Sequence, residues 1–257
     1  MIEVNPDAEL LSRPESDAIP IDWGTRTLLM GPPGAGKTRA LISFIEAGLN
    51  LAVLITDPGG QETLLDTMRE KKLDMDQLYW HYVAPASPSW DSLKSMSKRV
   101  TAFGYKDLTE LKSGINKDDY QQFYELLSVC HEFTDDRTGR NIGPIDELDN
   151  TWAFALDSAS GLNTMAMDLV IGAKPVAHQG EWGVAMNLEE RLISKFCSDL
   201  PCFFVLTAHV EKEMDERIGK PILMPGFLGR KLAPKIPRIF SDIVMAVKDG
   251  DKFHWST

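Results

Sequence analysis

Gly31-Pro32-Pro33-Gly34-Ala35-Gly36-Lys37-Thr38 spaces its glycines, a lysine and a hydroxyl as G-x-x-x-x-G-K-[ST]. In that spacing each residue type has a task if the ligand is a phosphate chain. Glycines let backbone N–H groups close around phosphate oxygens, Lys37 neutralises the β and γ phosphates, and the Thr38 hydroxyl ligates Mg²⁺. Gly31 to Thr38, with Arg39 directly after them, are therefore the expected nucleotide-binding residues.

Two carboxylates end apolar runs and would face such a ligand. Asp157 follows Trp152-Ala153-Phe154-Ala155-Leu156. An acid at the end of a buried strand holds Mg²⁺ through water, and it also caps the helix that Ser158-Ala159-Ser160-Gly161 would open. AAA+ motor ATPases usually carry Asp-Glu here, the Glu activating water, whereas Asp157 is followed by Ser158. The activating carboxylate then has to come from elsewhere. Asp57 closes Leu51-Ala52-Val53-Leu54-Ile55-Thr56 and reaches the γ-phosphate from a neighbouring strand as general base or water positioner. Its competing role is a turn before Pro58, and Glu62 is the reserve.

Positioning these groups requires strands that end beside the glycine loop. Arg26-Thr27-Leu28-Leu29-Met30 reads as a short buried strand just before it, and 38–47 as a helix stopped by Gly48. Further strands are expected at 51–56, 78–83, 152–156 and 201–207, the last leading into Ala208-His209, with helices near 61–72, 89–103, 117–133, 162–171 and 184–200. Residues 134–150 are acidic and glycine-containing and carry no periodicity, so a surface loop or mobile insertion is expected there. Strands at 242–247 and 252–255, split by Asp249-Gly250, complete the pattern. Strands alternating with helices predict an α/β fold, a predominantly parallel sheet flanked by helices with polar groups gathered at the strand C-termini.

With 257 residues, 43% hydrophobic and 25% charged, and no apolar run of membrane-spanning length, the composition predicts one soluble domain and no membrane partner. Residues 1–24 lack an apolar signal core and read as an N-terminal arm; 25–257 form the domain, with a helical and loop insertion at about 104–150. Three cysteines, Cys130, Cys197 and Cys202, with no C-x-x-C pair, suggest neither a disulfide framework nor zinc and fit a reducing cytoplasm. A net charge of −11 opposes a nucleic-acid partner, yet six basic residues and no acid lie between 217 and 238: Arg217, Lys220, Arg230, Lys231, Lys235 and Arg238.

The order of parts (glycine loop, acid on the next strand, Asp-Ser strand end, strand with a polar terminus) resembles the RecA-like ATPase core. More narrowly, Phe154-Ala155-Leu156-Asp157-Ser158, Leu206-Thr207-Ala208-His209 and the stretch from Pro225-Gly226-Phe227 through Lys235-Ile236-Pro237 look like bacteriophage RecA-like ATPases associated with single-strand annealing, over roughly 25–247. The resemblance implies a RecA-like P-loop NTPase core that hydrolyses ATP with Mg²⁺. It also implies binding to single-stranded DNA, self-association into an oligomer or filament, and service in phage-type recombination or annealing in a bacterial host cytoplasm. It puts His209 at the sensor position, where the family usually has Gln. His178, Gln179 and Trp182 fall at the first DNA-binding loop and 212–231 at the second, with Lys212, Arg217, Lys220 and Arg230 as phosphate contacts and Trp182 as a stacking platform or a packing residue. The basic stretch is otherwise a solvated face, or a source of fingers in trans: Lys231, Lys235 or Arg238 on a neighbouring subunit's γ-phosphate.

Asp57-Pro58-Gly59-Gly60 satisfies D-x-x-G and Asn116-Lys117-Asp118-Asp119 satisfies N-K-x-D, which raises a GTPase. Guanine recognition needs the Asn-Lys at the end of a buried strand, and residues 109–115 are polar and glycine-broken. About 20 residues between Lys37 and Asp57 leave no room for a switch segment and its strand. ATP is the expected nucleotide. A small-molecule or nucleoside kinase, and a nucleotide-gated assembly factor without DNA binding, remain alternatives.

Overall fold

The computed structural model describes residues 24–111, 119–215, 219–250 and 252–257. Along the chain run β1 (Arg26–Met30), α1 (Lys37–Ala40), α2 (Ser43–Glu46), β2 (Asn50–Ile55), α3 (Gly60–Lys71), β3 (Leu78–Tyr82), α4 (Trp90–Ala102), α5 (Tyr105–Thr109) and α6 (Gln122–His131). There follow β4 (Phe133–Thr134), β5 (Asn141–Gly143), β6 (Trp152–Asp157), α7 (Ala159–Ile171), α8 (Gln179–Asp199), β7 (Phe203–Ala208), β8 (Val210–Asp215), β9 (Lys220–Pro225), α9 (Gly229–Leu232), β10 (Asp242–Asp249) and β11 (Lys252–Ser256). Seven strands form one sheet in the order β11-β10-β1-β7-β6-β2-β3, parallel throughout except for β10 against β11. The fold is α/β, a mostly parallel sheet flanked by helices.

The central strands are apolar along their whole length because helices cover both faces. In β2 and β6 alternate residues divide between two cores: Ala52, Leu54, Phe154 and Leu156 meet α6, α7 and α8, while Leu51, Val53, Ile55, Ala153 and Ala155 meet α1, α2 and α3. Gly161 lets α7 approach the end of β2, since a Cβ there would stand 2.4 Å from the Thr56 side chain.

Arg26 opens β1 yet is only 8% exposed. Its guanidinium is satisfied by backbone carbonyls: Nε donates to Cys197 O and Nη1 to Cys202 O, both at 2.9 Å, with Gly24 and Leu200 as further acceptors. One side chain thus ties the strand before the glycine loop to the C-terminal end of α8.

Several sequence expectations are revised. The helix over 38–47 is two short pieces joined by tightened bonds from Leu41 N to Thr38 O and from Ile42 N to Arg39 O. Residues 134–150 hold most of the β4–β5 hairpin and a 3₁₀ turn at Ile145–Glu147. Asp135, fully buried, accepts from Trp80 N at 2.9 Å and Thr138 N at 3.0 Å, and Tyr82 N donates to Asp136 at 2.8 Å. The acids there serve as backbone acceptors, fastening the β4–β5 hairpin along the free edge of β3 and shielding that edge. The helix expected over 117–133 begins at Gln122 and ends at His131; Asn116, Lys117 and Asp118 lie outside the described residues. Helix α8 begins five residues earlier than its apolar periodicity suggested, because Glu181 reaches back to His178 N (2.6 Å) and is braced by Lys174 Nζ at 2.8 Å. This N-terminal capping outweighs the helix-breaking tendency of Gly180 and Gly183.

The buried stripe of α8 (Ala185, Glu189, Leu192, Ile193, Phe196) contains one carboxyl. Glu189 is 0% exposed, and the backbone at Leu228 approaches it without reaching hydrogen-bond geometry. Burial pushes its pKa up to about 8. The unfolded chain therefore gives up a proton that the folded chain keeps, and stability is lost as pH rises from about 4.5 toward 8. Glu189→Gln is expected to match the parent's thermal stability near the lower bound and to exceed it at the upper by on the order of a few kcal/mol. Melting curves across that range test this; a constant offset would show that Glu189 is not protonated in the fold.

Candidate active site

Strand β1 delivers the chain into the glycine loop, which turns back on itself through positive φ values at Gly34 (72°) and Gly36 (83°). At Gly36 a Cβ would also lie 2.8 Å from the Phe253 ring, which would have to shift to admit it. Lys37, 7% exposed, folds its ammonium into the loop, donating to Gly31 O at 2.9 Å and Pro32 O at 3.1 Å. Burial lowers its pKa, and Asp157 and Asp57 partly counter that.

The end of β7 stands between β1 and β6, so a residue there touches both. Thr207 Oγ1 donates to Asp157 Oδ1, and Thr38 Oγ1 donates to Asp157 Oδ2 at 2.7 Å. Burial raises the Asp157 pKa, the two hydroxyls oppose this, and Asp57 raises it further. Just beyond the strand, His209 Nδ1 lies 3.3 Å from Lys37 Nζ. Burial first, and the Lys37 charge second, hold His209 below the ordinary histidine pKa.

Asp57 enters from the end of β2. Ser158 Oγ donates to Asp57 Oδ2, and the backbone beneath is fixed by Thr56, whose hydroxyl donates to Ser158 O at 2.8 Å and accepts from Ser158 N at 2.9 Å. Asp57, Asp157, Ser158 and His209 line a cavity of about 370 Å³ with the glycine loop. Its lining brings one buried ammonium, that of Lys37, together with two carboxylates, of which Asp157 is hydrogen-bonded to Thr38 of the loop. Among the described residues no cluster of three or more His, Cys, Asp or Glu side chains is grouped to hold a metal. The adjacent Thr38 hydroxyl and Asp157 carboxylate are hard oxygen donors of the kind that suit Mg²⁺, which keeps several of its waters and needs few protein ligands.

Of the residues expected to act here, Lys37, Thr38, Asp57, Asp157 and His209 converge. Arg39 lies on the cavity rim with its guanidinium turned to Glu70 at 2.6 Å. Glu62 is exposed on α3 and does not line the cavity. Thr207 and Ser158 were not anticipated as partners; the available signal was a hydroxyl interrupting an apolar strand end.

The residues expected to meet DNA are distributed differently from the expectation. His178 precedes α8, and Gln179 and Trp182 are in its first turn, so this is a helix start and not a loop; Trp182 is 39% exposed. Lys212 and Lys220 sit on the β8–β9 hairpin, where the expected loop was, and they alternate with acids: Glu211 and Glu213 flank Lys212, and Lys220 pairs in register with Asp215. The acid-free span begins just after these acids, and strand pairing brings them back beside it. Arg217 lies outside the described residues. Arg230 and Lys231 are on α9, Arg238 lies in a 3₁₀ turn, and Lys235 pairs with Glu190 at 3.4 Å. None of Lys231, Lys235 and Arg238 lines the main cavity. Lys231 and Lys235 instead border a smaller cavity of about 210 Å³ with Gly183 and Met186 of α8, close to Trp182.

Compared with protein-family models, the chain matches none, and no curated protein matches it either. Among the described residues no helix is long and apolar enough to cross a membrane.

Proposed function

We propose that this chain is a RecA-like P-loop ATPase that binds single-stranded DNA, self-associates, and assists phage-type recombination or annealing. The observation that carries the ATPase reading is the convergence of Lys37, Thr38, Asp57, Asp157 and His209 on one cavity at the C-terminal edge of a parallel sheet. Lys37 leaves the carbonyls of Gly31 and Pro32 for the β and γ oxygens of ATP. Thr38 and Asp157 would hold Mg²⁺, which when bound would supply positive charge beside the phosphates. Asp57, aimed by Ser158, orients the attacking water and takes its proton. His209 loses its contact when Lys37 moves, which gives the strand end that leads into β8 a way to report occupancy.

For the DNA half, support comes from Trp182, Arg230 and Lys231 on neighbouring elements, a pairing of aromatic and basic side chains suited to single strands. The interleaved acids of the β8–β9 hairpin favour a second reading, a nucleotide-gated assembly factor without DNA binding. Turnover of ATP and GTP with and without single-stranded DNA separates the two. The expected result is stimulation by DNA that weakens with salt, with charge reversal at Lys220 and Arg230 lowering DNA affinity and flattening the salt dependence. Absence of DNA binding at low salt selects the assembly factor.

A further inference from the structure

Beside the phosphate cradle, on the sheet face that carries α1 and α2, lies a second cavity of about 380 Å³. Its floor is apolar, from Leu29, Val205 and Val244, and its walls are Phe44 on one side and Phe253 and Trp255 on the other. Phe253 and Trp255 are two apart on β11 and so share a face of that strand. They are 38% and 48% exposed, large aromatic area left open on an edge strand, and neither packs against another aromatic ring among the described residues.

The two cavities share Gly36, Arg39 and Phe253. The Phe253 ring rests on Gly36 and so forms the partition between them, with the Lys248 ammonium 5.6 Å from the ring centre. A nucleotide whose phosphates fill the glycine loop has a way for its sugar and base past these shared residues. Asp57, Asp157 and Ser158 line the first cavity alone, whereas Arg39 and Phe253 line both, so the way past them opens into the aromatic groove.

We propose that this groove is the nucleobase subsite and that it takes a purine, held by stacking on Trp255 and Phe253. The inference rests on the nucleotide reading above. A flat aromatic ring is the ligand whose chemistry fits two half-exposed aromatic side chains at this distance from a phosphate cradle, and a purine covers more of them than a pyrimidine does. The Thr27 and Ser43 hydroxyls and the Glu46–Lys71 pair, 2.6 Å apart, also line the groove and offer polar contacts to the ring edge.

The test uses calorimetry and tryptophan fluorescence on the full chain with Mg²⁺, comparing ATP and CTP with inorganic tripolyphosphate. In the parent protein ATP is expected to quench tryptophan emission, tripolyphosphate to leave it unchanged, and CTP to bind more weakly than ATP. Most of the quenching should vanish in Trp255→Phe. Trp255→Ala should weaken ATP binding about tenfold while tripolyphosphate binds as before, which also shows that the cradle is folded. If ATP binds Trp255→Ala with unchanged affinity and no Trp255 quenching occurs, the groove is not the base subsite although the nucleotide reading stands. The base-subsite proposal fails in the same way if Trp255→Ala changes only the oligomeric state, since a second copy of the chain would then be the occupant. If the parent binds neither ATP nor tripolyphosphate, the nucleotide reading itself fails and takes this inference with it.

Discussion

Lys37→Ala is expected to abolish tight ATP·Mg²⁺ binding while leaving the protein folded. The Lys37 ammonium is the cation seated inside the glycine loop, and it is held there by two carbonyls beside the His209 ring instead of by a directly bonded carboxylate. Burial already disfavours its charge, so the empty site gains little from it. A phosphate chain replaces those weak partners with full negative charge in a half-enclosed cavity. Losing a charge-assisted contact of this kind costs about 2–5 kcal/mol, or roughly thirtyfold to several thousandfold in affinity. Titration calorimetry measures the loss, and an unchanged melting temperature without nucleotide excludes unfolding as its cause. An Ala variant that binds ATP within about threefold of the parent would remove the loop from consideration as the phosphate site.

The second large effect is expected at Asp57. Asp57→Asn should keep ATP binding and lose turnover by about 10²–10⁴-fold, the range for removal of a general base. Asp157 is a poor candidate for that task, because both of its oxygens already accept hydroxyl protons from Thr38 and Thr207. Asp57 has one oxygen engaged by Ser158 and faces the same cavity. Ser158→Ala should lower turnover in the same direction but less, since it removes the aim of the carboxylate and not the carboxylate. Single-turnover phosphate release separates chemistry from binding in both variants. Full turnover in Asp57→Asn would transfer the role to another group, and Glu62, exposed on α3 outside the cavity, would have to move to take it.

The parts of the site that lie within one strand end or one loop were legible in the sequence: the glycine spacing, Asp57 after β2, Asp157 closing β6, His209 after β7. Each is a polar residue closing an apolar run, and the strand direction aims it. What could not be read was the lateral order of the strands. Thr207 reaches Asp157 only because β7 is inserted between β1 and β6, and Phe253 reaches Gly36 only because β10 flanks β1 on its other side and brings β11 with it. Residues 134–150 misled for a related reason. Asp135 and Asp136 carry the composition of a solvated loop, but backbone N–H groups on the edge strand β3 are their partners, and nothing local announces that. The acid-free basic span likewise looked uniform until hairpin register brought Asp215 opposite Lys220.

The position of β1 in the sheet also bears on the order in which the chain is assembled during synthesis. Strands β2, β3 and β6 pair among themselves, so that half of the sheet closes once residue 157 has emerged. Strand β1, the first of the described strands, pairs with β7 and β10, whose residues begin at Phe203 and Asp242. Its loop closures are the longest in the fold and come late on a ribosome that extends the chain from the N-terminus. Until then Lys37 has no His209 beside it and Thr38 no anchored carboxylate. The glycine-loop cavity is therefore among the last features to be completed, and a partly made chain carries the loop without the groups that surround it.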